Sequence, residues 1–223
     1  MAKTKLPGTG ANRRDTIIDA MMALLAESRF ERIGFGDVAA RAGLSLADLR
    51  DEFNSTGTII AAFSRRIDKA VLSEGGSDMA EETPRERLFD VLMRRLEKLA
   101  PYKEAIRSLA GSARCNPALA LALNGLAVNS LQWMMSAADI DPAGTRGMIR
   151  AQGLSCLYAR VMRVWLRDDD PGLARTMAAL DRELARGASW SRLLDDLCRL
   201  VPSASGRRRR PRHAEDGTED VIA

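Results

Sequence analysis

The chain has 223 residues, enough to bury a real core as one large domain or two smaller ones. Its 46% hydrophobic content, with 4% aromatic and no long alternation of Val, Ile and Thr, favours an all-helical chain over a sheet. The net charge of +4 divides as +2 over residues 1–72, +1 over 73–202 and +1 over 203–223, so no segment carries the lopsided basic excess of a strong polyanion binder.

Residues 1–12 form a polar leader without an apolar stretch, which argues against a secretory signal. The spacing of Ile17, Met21, Leu24 and Leu25 predicts a helix from Arg13 to about Glu27. "GDVAARAG" follows as a short helix packing Val38 and Ala42, and Gly43 suits a tight turn into the next. That next helix restarts at Leu44 and Ser45, with Ser45 placed to cap it and Asp48 three residues on to complete a capping box. "GTIIAAFSRRIDKAVL" reads as a fourth helix facing inward through Ile59, Phe63, Ile67 and Val71 or Leu72, with Arg65 and Arg66 on its solvent face. It fades at Gly75 and Gly76, the expected hinge before the rest of the chain.

Thr83, Pro84 and Glu86 mark the start of a fifth helix with the stripe Leu88, Val91, Leu92, Leu96 and Leu99. Pro101 and Pro117 punctuate the chain before helices from Tyr102 to Cys115 and from Pro117 to Ala138. The latter is apolar enough to be weighed as a membrane span, but Asn124, Asn129 and Gln132 favour a core helix and no stable membrane insertion. Helices from about Thr145 to Leu166 and from Pro171 to Arg186 then form a hairpin, Asp170 capping the second and Gly187 stopping it. A short amphipathic piece, "SWSRLLDDLCRLV", ends the ordered part. Residues 202–223, with their Arg207 to Arg212 run and acidic end, read as a disordered tail.

Enzymatic chemistry finds no constellation. His213 is the single histidine, no phosphate-binding glycine motif precedes a helix, and Cys115, Cys156 and Cys198 lack the spacing of a metal or disulfide framework. Asp168 to Asp170 read as a solvated cap, so neither a metal nor a cofactor is expected. Cysteine usage fits a reducing cytoplasm.

Three short helices with a glycine turn before the third describe a helix-turn-helix, in which the third helix reads the major groove. Ile17, Ile18 and Ala20, Phe30, "DVAARAGLS" and Phe53 resemble at their mutual spacing the N-terminal domain of TetR-family transcriptional regulators. The family's usual string runs "IA..AGVS.GTLY.HF.SKE.L", and the resemblance covers about Arg13 to Leu72. It implies a DNA-binding domain over 13–72 and a helical ligand-sensing and dimerisation domain over 83–201. It further implies a homodimer through Thr145–Leu166 and Pro171–Arg186, a near-palindromic double-stranded operator, and a small apolar effector that tilts the DNA-binding units apart.

Carried onto this sequence, the DNA face comprises Gly34, Arg41, Ser45, Leu46, Ala47, Leu49 and Arg50. Asn129, Gln132 and Trp133 are candidates for the effector pocket, because buried amides need partners and Trp suits apolar ligands. Four positions depart from the pattern: Gly34 replaces a phosphate-holding Thr or Ser, Leu46 a Lys, Arg50 an aromatic Tyr, and Thr56 a Lys. Asp48, Asp51 and Glu52 lie close to that face, and carboxylates repel phosphates. A second segment, Val164 to Leu184, resembles the TetR-like lipid-binding accessory proteins of ubiquinone biosynthesis, which share the fold and are not known as repressors. The alternative reading is accordingly a lipid or isoprenoid carrier that has lost DNA binding.

Overall fold

The computed structural model describes residues 10–74 and 82–200, and the side chains of 13–74 and 82–187. The Gly75–Gly76 hinge and the arginine-rich tail fall outside the described residues, as do residues 1–9 of the leader. Within them the chain is helical throughout: α1 Gly10–Glu27, α2 Phe35–Ala42, α3 Leu46–Glu52, α4 Thr56–Ser73, α5 Pro84–Leu99, α6 Lys103–Cys115, α7 Pro117–Ala137, α8 Gly144–Trp165 and α9 Ala174–Leu200. Short 3-10 turns at Phe30–Arg32 and Ala100–Tyr102 join α1 to α2 and α5 to α6.

The N-terminal unit forms because its apolar positions fall on single faces. Ile17, Ile18, Met21 and Leu25 of α1 are buried with Val38 and Ala39 of α2, Leu49 of α3 and Phe53. Gly43 ends α2 in the left-handed region at φ 68°, where its amide donates back to Ala39 and Ala40, and this reverses the chain into α3. Ser55 caps α4, and Thr83 with Glu86 forms the expected reciprocal cap on α5.

Helix α4 belongs to both halves. Ile59, Ile60 and Phe63 pack with the N-terminal unit, while Ile67, Asp68 and Val71 continue the same core toward α5 and α7. Arg66 departs from its expected solvent position. It is half-buried and donates to Asp19 at 2.6 Å and to the Tyr102 hydroxyl at 3.2 Å, tying α4 to α1 and to the turn before α6. The N-terminal unit is further fixed to α6 by the Phe30 amide on Ser112 Oγ at 3.2 Å and by Ser108 Oγ on the Ser28 carbonyl at 2.8 Å.

Deeper in, Arg95 of α5, Asp68 of α4, Ser130 of α7 and Tyr158 of α8 form a buried polar cluster. Arg95 donates to Asp68, Ser130 and Tyr158 at 3.1–3.3 Å, and Ser130 donates to Asp68 at 2.6 Å. Burial opposes the Arg95 charge, but Tyr158 and Asp68 outweigh it and hold the guanidinium protonated.

Three expectations at the C-terminal end are corrected. Helix α9 does not stop at Gly187 but runs on to Leu200, absorbing the separate amphipathic piece. Gly187 is there for proximity: a Cβ at that position would stand 3.1 Å from Leu157 Cδ1, so the glycine lets α9 lie close against α8. The acidic turn is only partly solvated, since Asp168 is buried and accepts from the Thr176 amide and hydroxyl at 2.9 and 2.6 Å. Helix α9 also begins at Ala174 and not at Pro171, so Asp170, instead of directly preceding the helix, accepts from the Gly172 and Ala174 amides across the turn that leads into it.

Candidate nucleic-acid interface

Helix α3 is only seven residues long and is held in place by its caps. The Ser45 hydroxyl accepts from the Asp48 amide at 3.1 Å and donates to the Asp48 carboxylate at 2.6 Å, and that carboxylate also accepts from the Ser45 amide. Arg13 of α1 stands 3.7 Å from the other Asp48 oxygen. This acid therefore serves the helix end and an arginine at its back. Glu52 is likewise drawn inward, 3.7 Å from Arg14, whose guanidinium lies 4.3 Å above the Phe53 ring.

What remains outward on α3 is Leu46, Ala47, Arg50 and Asp51. Leu46 is 59% exposed, Phe35 at the start of α2 is 44% exposed, and with Arg50, Asn54 and the edges of Leu49 and Phe53 they line a shallow groove of about 380 Å³. Arg50 donates to Asn54 Oδ1 at 2.6 Å, which lays the guanidinium along the groove instead of sending it freely into solvent. Asp51 sits roughly 100° around the helix from Arg50, at the edge of the outward face.

Of the seven residues expected at a DNA face, Ser45, Leu46, Ala47 and Arg50 come together on the exposed side of α3. Leu49 does not join them: it lies about 100° around the helix from Arg50 and about 160° from Ala47, on the side buried against the core of α1 and α2. Gly34 begins α2 with its amide on the Asp37 carboxylate at 2.8 Å, so Asp37 adds an exposed acid on this side. Arg41 lies further along α2 in a two-pronged pair with Glu27 at 2.6 and 2.9 Å, an exposed pair that lowers the Glu27 pKa chiefly through this hydrogen bond. Phe35 and Asn54 were missed by sequence reasoning. The signal available for Phe35 was a bulky apolar residue at the first position of a short helix; nothing local pointed to Asn54.

The candidate effector residues do not converge on the interior. Asn129 and Trp133 are exposed and Gln132 is half-buried, on the opposite side of α7 from Leu131, Met134 and Met135. Consecutive residues step about 100° around a helix, so burying 131, 134 and 135 turns this group outward. Asn124 is engaged with α8: it exchanges amide hydrogen bonds with Gln152 at 3.1 and 3.2 Å and accepts from Ser155 Oγ at 3.1 Å. No cluster of three metal-ligating side chains occurs among the described residues.

The arrangement of α1 to α3 on a helical C-terminal body is that of TetR transcriptional regulators, and the chain shares their fold. Against a TetR regulator from Nitrosomonas europaea ATCC 19718 the TM-score is 0.62 at 24% identity, covering 78% of this chain and 97% of that one. A TetR regulator from Rhodococcus sp. RHA1 gives 0.54 at 19% identity over 78% and 94% of the two chains. A third, from Streptomyces coelicolor, gives 0.54 at 16% over 87% and 89%. No family profile and no curated protein matches the sequence.

Proposed function

We propose that the protein is a cytoplasmic, homodimeric, DNA-binding transcriptional regulator without enzymatic activity, acting as a repressor released by a small apolar ligand. One observation carries this reading: the acids that spoil the reading helix in the linear sequence are largely spent within the fold. Asp48 serves the Ser45 cap and Glu52 faces Arg14, leaving Leu46, Ala47 and Arg50 to meet the major groove. Leu46 and Ala47 would pack against thymine methyl groups, and Arg50 would contact a guanine or a phosphate. A near-palindromic operator follows from two such units related by a two-fold axis.

Selection of random duplex DNA by the purified full-length protein at low and moderate salt tests this directly. The expected result is an enriched inverted repeat, bound with an affinity that falls as salt rises and that drops about 10- to 100-fold in Arg50→Ala. Failure to enrich any sequence at either salt overturns it.

A second reading, a TetR-fold lipid or isoprenoid carrier without DNA binding, is favoured by a separate feature: α7 is long and apolar, yet less than a third of its most apolar stretch is buried. Organic extraction of the purified protein followed by mass spectrometry should then yield a stoichiometric lipid, and empty protein counts against it.

A further inference from the structure

Two large apolar side chains of the N-terminal unit face outward. Leu46 on α3 and Phe35 on α2 are exposed, while Leu49 and Val38 on the same helices are buried. Both stand on one groove, whose floor is the edges of Leu49 and Phe53 and whose polar lining is Arg50 and Asn54. Of these six residues only Arg50 is charged. Leu46 and Arg50 are about one helical turn apart, roughly 6 Å along the axis, a distance that spans one to two stacked base pairs. We propose that this groove reads a single dinucleotide step, a pyrimidine carrying a C5-methyl group followed by guanine. TpG and methylated CpG are then equivalent in each half-site, and unmethylated CpG is disfavoured. The inference rests on the DNA-reading function proposed above and names the base step that function uses.

Arg50 supplies the guanine half. Its Nη1 donates to Asn54 Oδ1 at 2.6 Å, which fixes the guanidinium before DNA arrives and leaves Nη2 and Nε to donate as a parallel pair. Guanine is the base that presents two acceptors side by side in the major groove, O6 and N7. A phosphate accepts the same fork, but seated between Leu46 and Phe35 it would give up hydration to apolar walls. The exposed Asp51 next to Arg50 also repels it. An uncharged base edge meets neither penalty.

The walls decide the neighbour. The apolar group on the major-groove edge of the bases is the C5-methyl of thymine, and 5-methylcytosine carries the same group on the same atom. In a right-handed duplex the C5 atom of a pyrimidine on the 5′ side of guanine projects beside that guanine's N7 edge. A methyl group there lies between the Arg50 guanidinium and the Leu46 and Phe35 side chains, and it takes apolar surface on both sides out of water. Burial of one methyl corresponds to about 4-fold in affinity per half-site and about 15-fold over two.

The test uses the purified full-length protein and two libraries of random duplex DNA, one untreated and one treated with a CpG methyltransferase. The untreated library should yield an inverted repeat with TpG in each half. The methylated library should yield the same repeat with CpG admitted at that step. By anisotropy titration, a duplex with methylated CpG at both steps should bind about 15-fold more tightly than its unmethylated twin, and Leu46→Ala should bring the two within about 2-fold. Asn54 is a positioning residue: Asn54→Ala should reduce the preference for guanine about 10-fold, and Asn54→Asp, which keeps the acceptor, should retain that preference while weakening every sequence alike. Leu46 and Asn54 are exposed, so thermal melting of each variant should match the wild type. An inverted repeat without a pyrimidine–guanine step, CpG enriched equally from both libraries, or a guanine preference indifferent to Asn54→Ala overturns the proposal and leaves DNA reading intact. No enrichment from either library overturns DNA reading itself, and this inference with it.

Discussion

Asp48 and Asp51 are separated by less than one helical turn and have opposite fates, and this contrast is testable. The Asp48 carboxylate closes the capping box by accepting from the Ser45 amide and hydroxyl, so Asp48→Ala should lower stability by about 1 kcal/mol in a denaturant titration. Asp51 is exposed at the edge of the reading face, so Asp51→Asn should leave stability unchanged and raise operator affinity several-fold by removing repulsion of phosphate. Equal effects on both measurements would mean that the two acids share a role. Leu46 makes a second prediction: replacing thymine by deoxyuridine in each half-site should weaken binding, and Leu46→Ala should remove the difference. The sequence revealed the cap at Ser45 because its chemistry is local. It did not reveal that Glu52 is held by Arg14 or Arg50 by Asn54, because those pairings depend on how α1 and the α3 exit turn are packed.

At the scale of elements, the turns are where single atoms decide the path. Gly43 sits at φ 68°, so Gly43→Ala should cost about 1–2 kcal/mol and lower the melting temperature without changing α1. The turn into α9 depends on Asp168, whose carboxyl is held below its ordinary range, first by the Thr176 hydroxyl and further by the Thr176 amide, against the opposing effect of burial. A carboxyl pKa lowered by folding contributes stability above its unfolded value of about 3.9, and that contribution disappears as pH falls through the folded value. Denaturation of wild type and Asp168→Asn between pH 6 and pH 3 should therefore converge toward acid. Helix starts with chemical markers, such as Thr83-Pro84 and Pro117, were legible in the sequence. The course of α9 through Gly187 was not, because a glycine that ends a helix and one that admits a neighbour look alike until Leu157 is placed beside it.

The whole molecule is joined through α4, and the buried Asp68–Arg95–Ser130–Tyr158 cluster is the point at which four helices meet. Removing one charge strands the other in the core, so Asp68→Leu should cost about 3–5 kcal/mol. Replacing Asp68 and Arg95 together by Leu and Met should recover much of that loss, a comparison made by chemical denaturation of the single and double variants.

Periodicity, caps and prolines determined from the sequence alone that the chain is helical, where most helices start, and that α2 and α3 form a helix-turn-helix, because each of these is settled within a few residues along the chain. The tertiary structure decided which carboxylates face the groove, that Leu49 belongs to the core, that Arg66 is an anchor and that α7 leaves an apolar side uncovered. Those outcomes depend on which helix lies against which, and a side chain's neighbours across 30 or 80 residues of chain are set by the packing of whole faces, not by the residues beside it.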